Sequence, residues 1–336
     1  MVLLTHYQLA VIGHLFWNIP AFELGQHGVT IFFVLSGYLI TSKLIADDRP
    51  RLADFYVQRF FRLMPAAWTY LAFLGLLTLL TPLKVMGTDL WGCLAFFRNY
   101  LGETPANSLT LHFWSLSLEE QFYLVWPPLL ILLGRRRGLL AAGIGAAAVA
   151  TYKLAFWSWY SADLRFIRTE VRADALLVGC ILALVLQAAQ VRRWFEAWGQ
   201  KLFPIFVVTL VADAAHYHGP TPFHESLIVA LAIGTTIVRP GRFVGRLLSI
   251  EWLRTTGLVS YSLYLWQGLF LRSYWGAFGP ILLVAASLGS WVFIEQPLIK
   301  LGRKIVKAQK KPAECPQNGH QRAPNREEQQ PIAAEG

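Results

Sequence analysis

Residues 112–134 read HFWSLSLEEQFYLVWPPLLILLG. From Leu118 onward this run is apolar and close to the length that crosses about 30 Å of hydrocarbon. Two adjacent carboxylates, Glu119 and Glu120, stand at its mouth. The plain explanation is local: Ser117 followed three residues later by Glu120 forms a capping box, and acidic side chains favour the positive end of a helix. That accounts for one Ser and one Glu. It leaves His112, Trp114, the second Glu and the Gln121-Phe122-Tyr123 run without a reason.

The rest of the chain has the same character. Of its 336 residues, 55% are hydrophobic and only 15% are charged, and the mean hydropathy is +0.44. No soluble core of this size needs so much apolar surface, so the composition predicts an all-α, polytopic membrane helix bundle. Apolar stretches of spanning length fall at 1–17, 28–46, 64–82, 118–134, 138–157, 171–189, 202–215, 224–238, 257–272 and 278–299, which makes ten transmembrane helices. The run at 85–97, broken by Gly87, Asp89 and Gly92, reads as re-entrant or interfacial. With odd helices running outward, most of the 30 basic residues fall on inner segments and the inner tail. Positive-inside bias therefore places both termini in the cytoplasm. The transmembrane domain covers 1–307, and 308–336, rich in Pro, Gln, Glu and Asn, reads as a disordered cytoplasmic tail.

Several function classes drop out. The net charge of +10 is spread in small groups between apolar runs, which describes topology and not a nucleic-acid surface. Three cysteines without paired spacing suggest neither a disulfide framework nor a metal cluster. His216, His218 and His224, with Asp213 nearby, fit no strong zinc spacing. No internal repeat of the transporter kind is present.

Individual polar residues carry the remaining information. His6 sits inside the first apolar run, only five residues from the amino terminus; the first span is expected to be cut short there. A lone His in a span more often bonds across helices than it catalyses. Arg59 and Arg62 share one helical face at the cytoplasmic edge of the third span. They suit phosphate groups and suit ordinary anchoring equally well. Glu119 and Glu120 follow an outer loop. Arg172 and Asp174 read as a self-neutralising ion pair at the start of a span. Ser36-Gly37 permits close helix approach, and Tyr261, Tyr264 and Trp266 read as an interfacial aromatic belt.

Taken together, the motifs resemble the acyltransferase-3 family of integral membrane acyltransferases, which modify bacterial surface glycans. The matching segments are VLLTH at 2–6, GVTIFFVLSGYLIT at 28–41, RFFR at 59–62 with Pro65, and HFWSLSLEEQFY at 112–123. They continue with RAD at 172–174 leading to Gly179, SYSLYLW at 260–266 and FIEQP at 293–297. The chain departs from the family pattern in three places. The family's Arg eleven residues before the first-span His would precede Met1, Thr30 replaces a common Asp, and Gln267 replaces a common His.

The resemblance implies a multi-pass O-acyltransferase of the bacterial inner membrane, with acetyl-CoA or another acyl-CoA as co-substrate and no permanently bound cofactor or metal. The acceptor is then a hydroxyl of an exported or lipid-linked saccharide, and the lipid bilayer is the other partner. It implies His6 as catalytic base, with Glu119 and Glu120 also catalytic, and Arg59 and Arg62 binding acyl-CoA. Ser36, His112, Trp114, Tyr123, Arg172, Asp174, Tyr261 and Glu295 bind or orient substrate. Two rival readings are a glycan or lipid transporter coupling protons through buried His and Glu, and an inactive truncated remnant.

Overall fold

The computed structural model describes residues 21–82, 85–102, 109–156, 167–216, 223–271, 275 and 278–310. His6, the first expected span, both chain ends and the expected tail beyond 310 lie outside them. No strand occurs among the described residues.

Among the described residues twelve α-helices follow in order: α1 (Ala21–Ala46), α2 (Leu52–Leu80), α3 (Gly87–Leu94), α4 (Phe113–Phe156), α5 (Thr169–Val185), α6 (Ala189–Trp194), α7 (Gln200–His216), α8 (Phe223–Val238), α9 (Arg242–Ser249), α10 (Glu251–Phe270), α11 (Gly279–Ser290) and α12 (Gln296–Lys310). Single π-helical turns at Phe195–Gly199 and Trp291–Glu295 join α6 to α7 and α11 to α12. Among the described residues five helical stretches are long and apolar enough to cross a membrane: Gly25–Ala46, Leu52–Leu80, Phe113–Phe156, Ala189–Asp213 and Gly279–Gln309. The chain is thus a multi-pass membrane protein. Bare apolar side chains such as Leu79, Leu132 and Phe293, each more than 80% exposed, are what a lipid-facing surface requires. The helix α3 rises about 12 Å over its eight residues, too short to cross a bilayer. The segment at 85–97 is therefore not a span, as its interrupting glycines predict.

Two glycine features set the packing. Gly134 sits at φ 72°, ψ 176° and divides α4 into two arms, 113–133 and 135–156. A Cβ on Gly138 would lie 2.6 Å from Leu130 Cδ1. Eight residues along one straight helix would separate these positions by about 12 Å, so the chain doubles back here. The helices α1 and α5 meet backbone to backbone. A Cβ on Gly37 would stand 2.0 Å from the Leu176 carbonyl oxygen, and one on Gly179 would stand 2.1 Å from that of Val34. Small residues at a crossing permit this approach.

The buried side chains form two clusters. One joins α1, α4, α5 and α8 through residues such as Phe33, Trp114, Leu118, Leu176 and Val229. The other joins α2, α10 and α11 through Tyr70, Phe113, Leu116, Leu265 and Leu283. The first arm of α4 contributes Phe113 and Leu116 to the second cluster and Trp114, Leu118, Phe122 and Trp126 to the first, so it is the seam between the two halves. The HFWSLSLEEQFY run at 112–123 lies along that seam.

Candidate functional site

The seam carries a buried ionic centre. Arg59 Nη2 lies 2.9 Å from Glu119 Oε1. The same oxygen accepts a 2.9 Å hydrogen bond from Ser36 Oγ. The Arg59 guanidinium carbon sits 3.7 Å from the centre of the Tyr123 ring, a cation–π contact. Glu119 and Tyr123 are buried, at 4% and 1% exposure. The frame is tied from three sides. Tyr56 donates to the Tyr123 carbonyl, Trp126 Nε1 donates to Thr41 Oγ1, and Arg135 donates to the Ile45 carbonyl.

This placement corrects two sequence expectations. Hydropathy put the arginines and the glutamates at opposite edges of the bundle. In the structure α2 begins at Leu52, so Arg59 lies seven residues, about 10 Å, into the helix. The helix α4 begins at Phe113, so Glu119 lies six residues, about 9 Å, into it. Both are carried inward until they touch. The capping box fails for the same reason: Ser117 and Glu120 are already inside the helix, with Phe113 and Trp114 bonded to the turn at Thr110 and Leu111.

Other polar groups gather around this centre. Glu120 and Arg62 lie within electrostatic range of the Arg59–Glu119 pair. Arg62 is exposed and also acts on Glu295. Glu295, 2% exposed, accepts hydrogen bonds from Ser262 and Ser290. Tyr261 donates to the Leu63 carbonyl at 2.8 Å. Arg59 Nε, Ser117 Oγ, Glu120 Oε1 and the Tyr123 hydroxyl are buried without a hydrogen-bond partner among the described residues. Buried polar atoms are almost always satisfied, so Arg59 Nε, Glu120 Oε1 and the Tyr123 hydroxyl leave hydrogen-bonding capacity near the ion pair.

The aromatic residues of α10 do not form a belt facing the interface. Tyr264 donates to the His112 carbonyl at 2.6 Å and contacts Ser115. Trp266 packs edge-on against Tyr70. These side chains point inward because α10 closes the second cluster. His112, 3% exposed, packs edge-on against Tyr70 and Tyr264 and tilted against Phe113.

A second polar group lies toward the amino end of α1. Asp174 is paired with Lys153 Nζ at 3.0 Å, so the expected self-contained Arg172–Asp174 pair is not what forms. Arg172 donates to the Gln26 carbonyl and the Thr30 hydroxyl, and its guanidinium lies about 6 Å from the rings of Phe33 and Trp114. His27 Nδ1 is 2.9 Å from Glu225 Oε1. Sequence reasoning passed over His27, Lys153 and Glu225. The available signal was an ionisable residue in or at the end of an apolar stretch. His224 and Asp213 meet at 3.0 Å, while His218 lies outside the described residues.

Comparison with known proteins places the chain. Residues 1–294 match the acyltransferase-domain family of the acyltransferase-3 type, and the chain belongs to that family. It is 29% identical over 282 residues to the "Putative peptidoglycan O-acetyltransferase YrhL" of Bacillus subtilis, covering 72% of this chain and 44% of that protein. It is 27% identical over 275 residues to the peptidoglycan O-acetyltransferase OatA of Listeria monocytogenes, again covering 72% of this chain and 44% of the relative. This chain therefore spans less than half the length of either relative. No solved structure matches.

Proposed function

We propose that this protein is an O-acyltransferase of the bacterial inner membrane. It moves an acyl group, acetyl in the simplest case, from acyl-CoA to a hydroxyl of an exported or lipid-linked saccharide. The names of the two relatives make a peptidoglycan sugar the first acceptor to try. The observation that carries the reading is the buried Ser36–Glu119–Arg59 centre with the unpartnered polar atoms of Arg59, Glu120 and Tyr123. An acyl transfer needs such a place: dry, polar and fixed in advance.

In this reading the acceptor oxygen attacks the thioester carbonyl carbon, forming the new C–O bond as the C–S bond breaks. His6 takes the hydroxyl proton and returns it to the departing CoA sulfur, the general acid–base task an imidazole performs. Arg62, exposed at the edge of the centre, meets the CoA phosphates. Arg59 is already neutralised by Glu119, and it offers its spare Nε–H to the donor. Glu120 and Tyr123 present their free atoms to the acceptor. Holding donor and acceptor together converts a slow encounter into an oriented one.

The test is transfer of label from acetyl-CoA to saccharide in membranes containing the protein or its His6→Ala variant. The reading predicts that the variant loses transfer. Undiminished transfer by His6→Ala would remove the proposed base.

A further inference from the structure

The stretch Gly279–Gln309, long and apolar enough to cross the membrane, runs through α11, the π-helical turn and α12. Its composition changes along the way. No charged residue occurs in α11, whereas α12 carries Lys300, Arg303, Lys304, Lys307 and Lys310 and no acidic residue. The two faces of α12 differ as much. One packs on α2: Gly302 and Val306 are buried, and a Cβ on Gly302 would stand 2.8 Å from Phe61 Cβ. Arg51, just before α2, donates to the Gln309 carbonyl at 3.3 Å, so the end of α12 is fastened too. The opposite face carries Pro297, Lys300, Lys304 and Lys307, all exposed and spaced by three, four and three residues, the repeat of one helical stripe. Arg303 is exposed beside them.

We propose that this stripe is a docking surface for phospholipid headgroups of net negative charge. Two observations choose the occupant. Phe293, one turn before Pro297, is 81% exposed, so this side of the helix faces lipid tails before the lysines begin. Lys300 follows about 10 Å further along the axis and Lys307 about 10 Å beyond it, so the ammonium groups leave the hydrocarbon on its lipid side and come out among headgroups. The second observation is charge. With no carboxylate in α12 to answer the cationic part of a zwitterionic headgroup, the stripe favours an acidic one, with a gain of about fivefold in affinity for each basic residue that reaches the surface. Because α12 is already held on α2 through Gly302 and Gln309, the lysines are presented on a fixed rod and little order has to be imposed when lipid binds.

The test reads lipid and not acyl transfer, so it stands apart from the proposed reaction. The full chain in neutral detergent is titrated with phosphatidylglycerol carrying a fluorophore on an acyl chain, and binding is followed by anisotropy. Unlabelled phosphatidylglycerol should displace the probe at least about fivefold better than phosphatidylcholine or glycerol phosphate. K300Q/K304Q is compared with R136Q/R137Q, which removes the same charge from the exposed start of the second arm of α4. We expect K300Q/K304Q to weaken binding by about 25-fold and R136Q/R137Q by less than about threefold, with K300R/K304R close to wild type. Equal losses in the two neutralised variants would mean that only net charge acts, and would overturn the proposal. Unchanged binding by K300Q/K304Q overturns it too, as does displacement by glycerol phosphate or phosphatidylcholine as ready as by phosphatidylglycerol. If K300Q/K304Q does not accumulate, amine labelling of wild type in vesicles decides. Lys300, Lys304 and Lys307 should then react at least about threefold less in phosphatidylglycerol than in phosphatidylcholine vesicles, and equal reaction in both overturns the proposal.

Discussion

Arg59 and Glu119, 60 positions apart in the chain, meet at 2.9 Å in the interior of the bundle, with the Tyr123 ring beneath the guanidinium and Ser36 on the same carboxylate oxygen. The pair ties α2 to the first arm of α4 at the seam between the two packed halves. Charge at this depth is expensive unless each partner answers the other.

Removing one partner therefore harms more than removing both. We expect Glu119→Ala to destabilise the protein by about 1.5–3 kcal/mol, because the half-buried Arg59 loses the carboxylate it is bonded to. The double variant R59Q/E119Q should melt higher than E119A. Thermal unfolding in detergent, followed by the fraction that stays monodisperse, checks the order.

Ser36 tests orientation with little disturbance of packing. Its hydroxyl donates to a charged acceptor, an interaction worth about 1.5–3 kcal/mol. Ser36→Ala should therefore lower acetyl transfer by roughly tenfold or more, since the carboxylate loses one of its two directing contacts. Initial rates in membranes, normalised to the amount of folded protein, read this out; Ser36→Thr, which keeps the hydroxyl, should retain more activity.

Gly37 tests the helix crossing that positions Ser36. Any Cβ there would collide with the Leu176 carbonyl, so Gly37→Ala must push α1 and α5 apart, at a cost of roughly 1–3 kcal/mol. Lower yield of folded protein and a lower melting temperature are expected, with Gly75→Ala, which meets open space, as the control.

Gly134 tests the turn in α4. Its φ and ψ, 72° and 176°, lie where essentially only glycine rests. Gly134→Ala should lose about 1–3 kcal/mol of stability without touching the ionic centre. Its transfer rate per folded molecule should stay near that of wild type, which separates scaffold from site.

Much of this was legible in the sequence because membranes tolerate so few polar groups. Adjacent glutamates in an apolar segment pointed to Glu119, and the family resemblance, not the Ser-Gly step itself, pointed to Ser36; both meet at the centre. What hydropathy hid was depth. The polar and charged residues Asp54, Gln58, Arg59 and Arg62 lower the average over the first turns of α2, so the helix reads as starting twelve residues later than it does. Arg59 was thus read as an edge residue and Glu119 as facing the opposite side. The aromatic run of α10 misled for a related reason: Tyr and Trp are common at interfaces, but here a hydroxyl and an indole serve the packing between α2, α4 and α10. The His27–Glu225 pair was illegible because its members are single residues on helices far apart in the chain, and only the fold brings them together.

The central claim is that the Glu119 carboxylate, set between Ser36 and Arg59, is needed for acyl transfer and not only for folding. The most direct test compares the rate of label transfer from acetyl-CoA by wild type and by Glu119→Gln, in membranes matched for folded protein. The account predicts a loss of about 100-fold, the scale on which a fixed polar group in a dry site contributes. Equal rates from equal amounts of folded protein would contradict it.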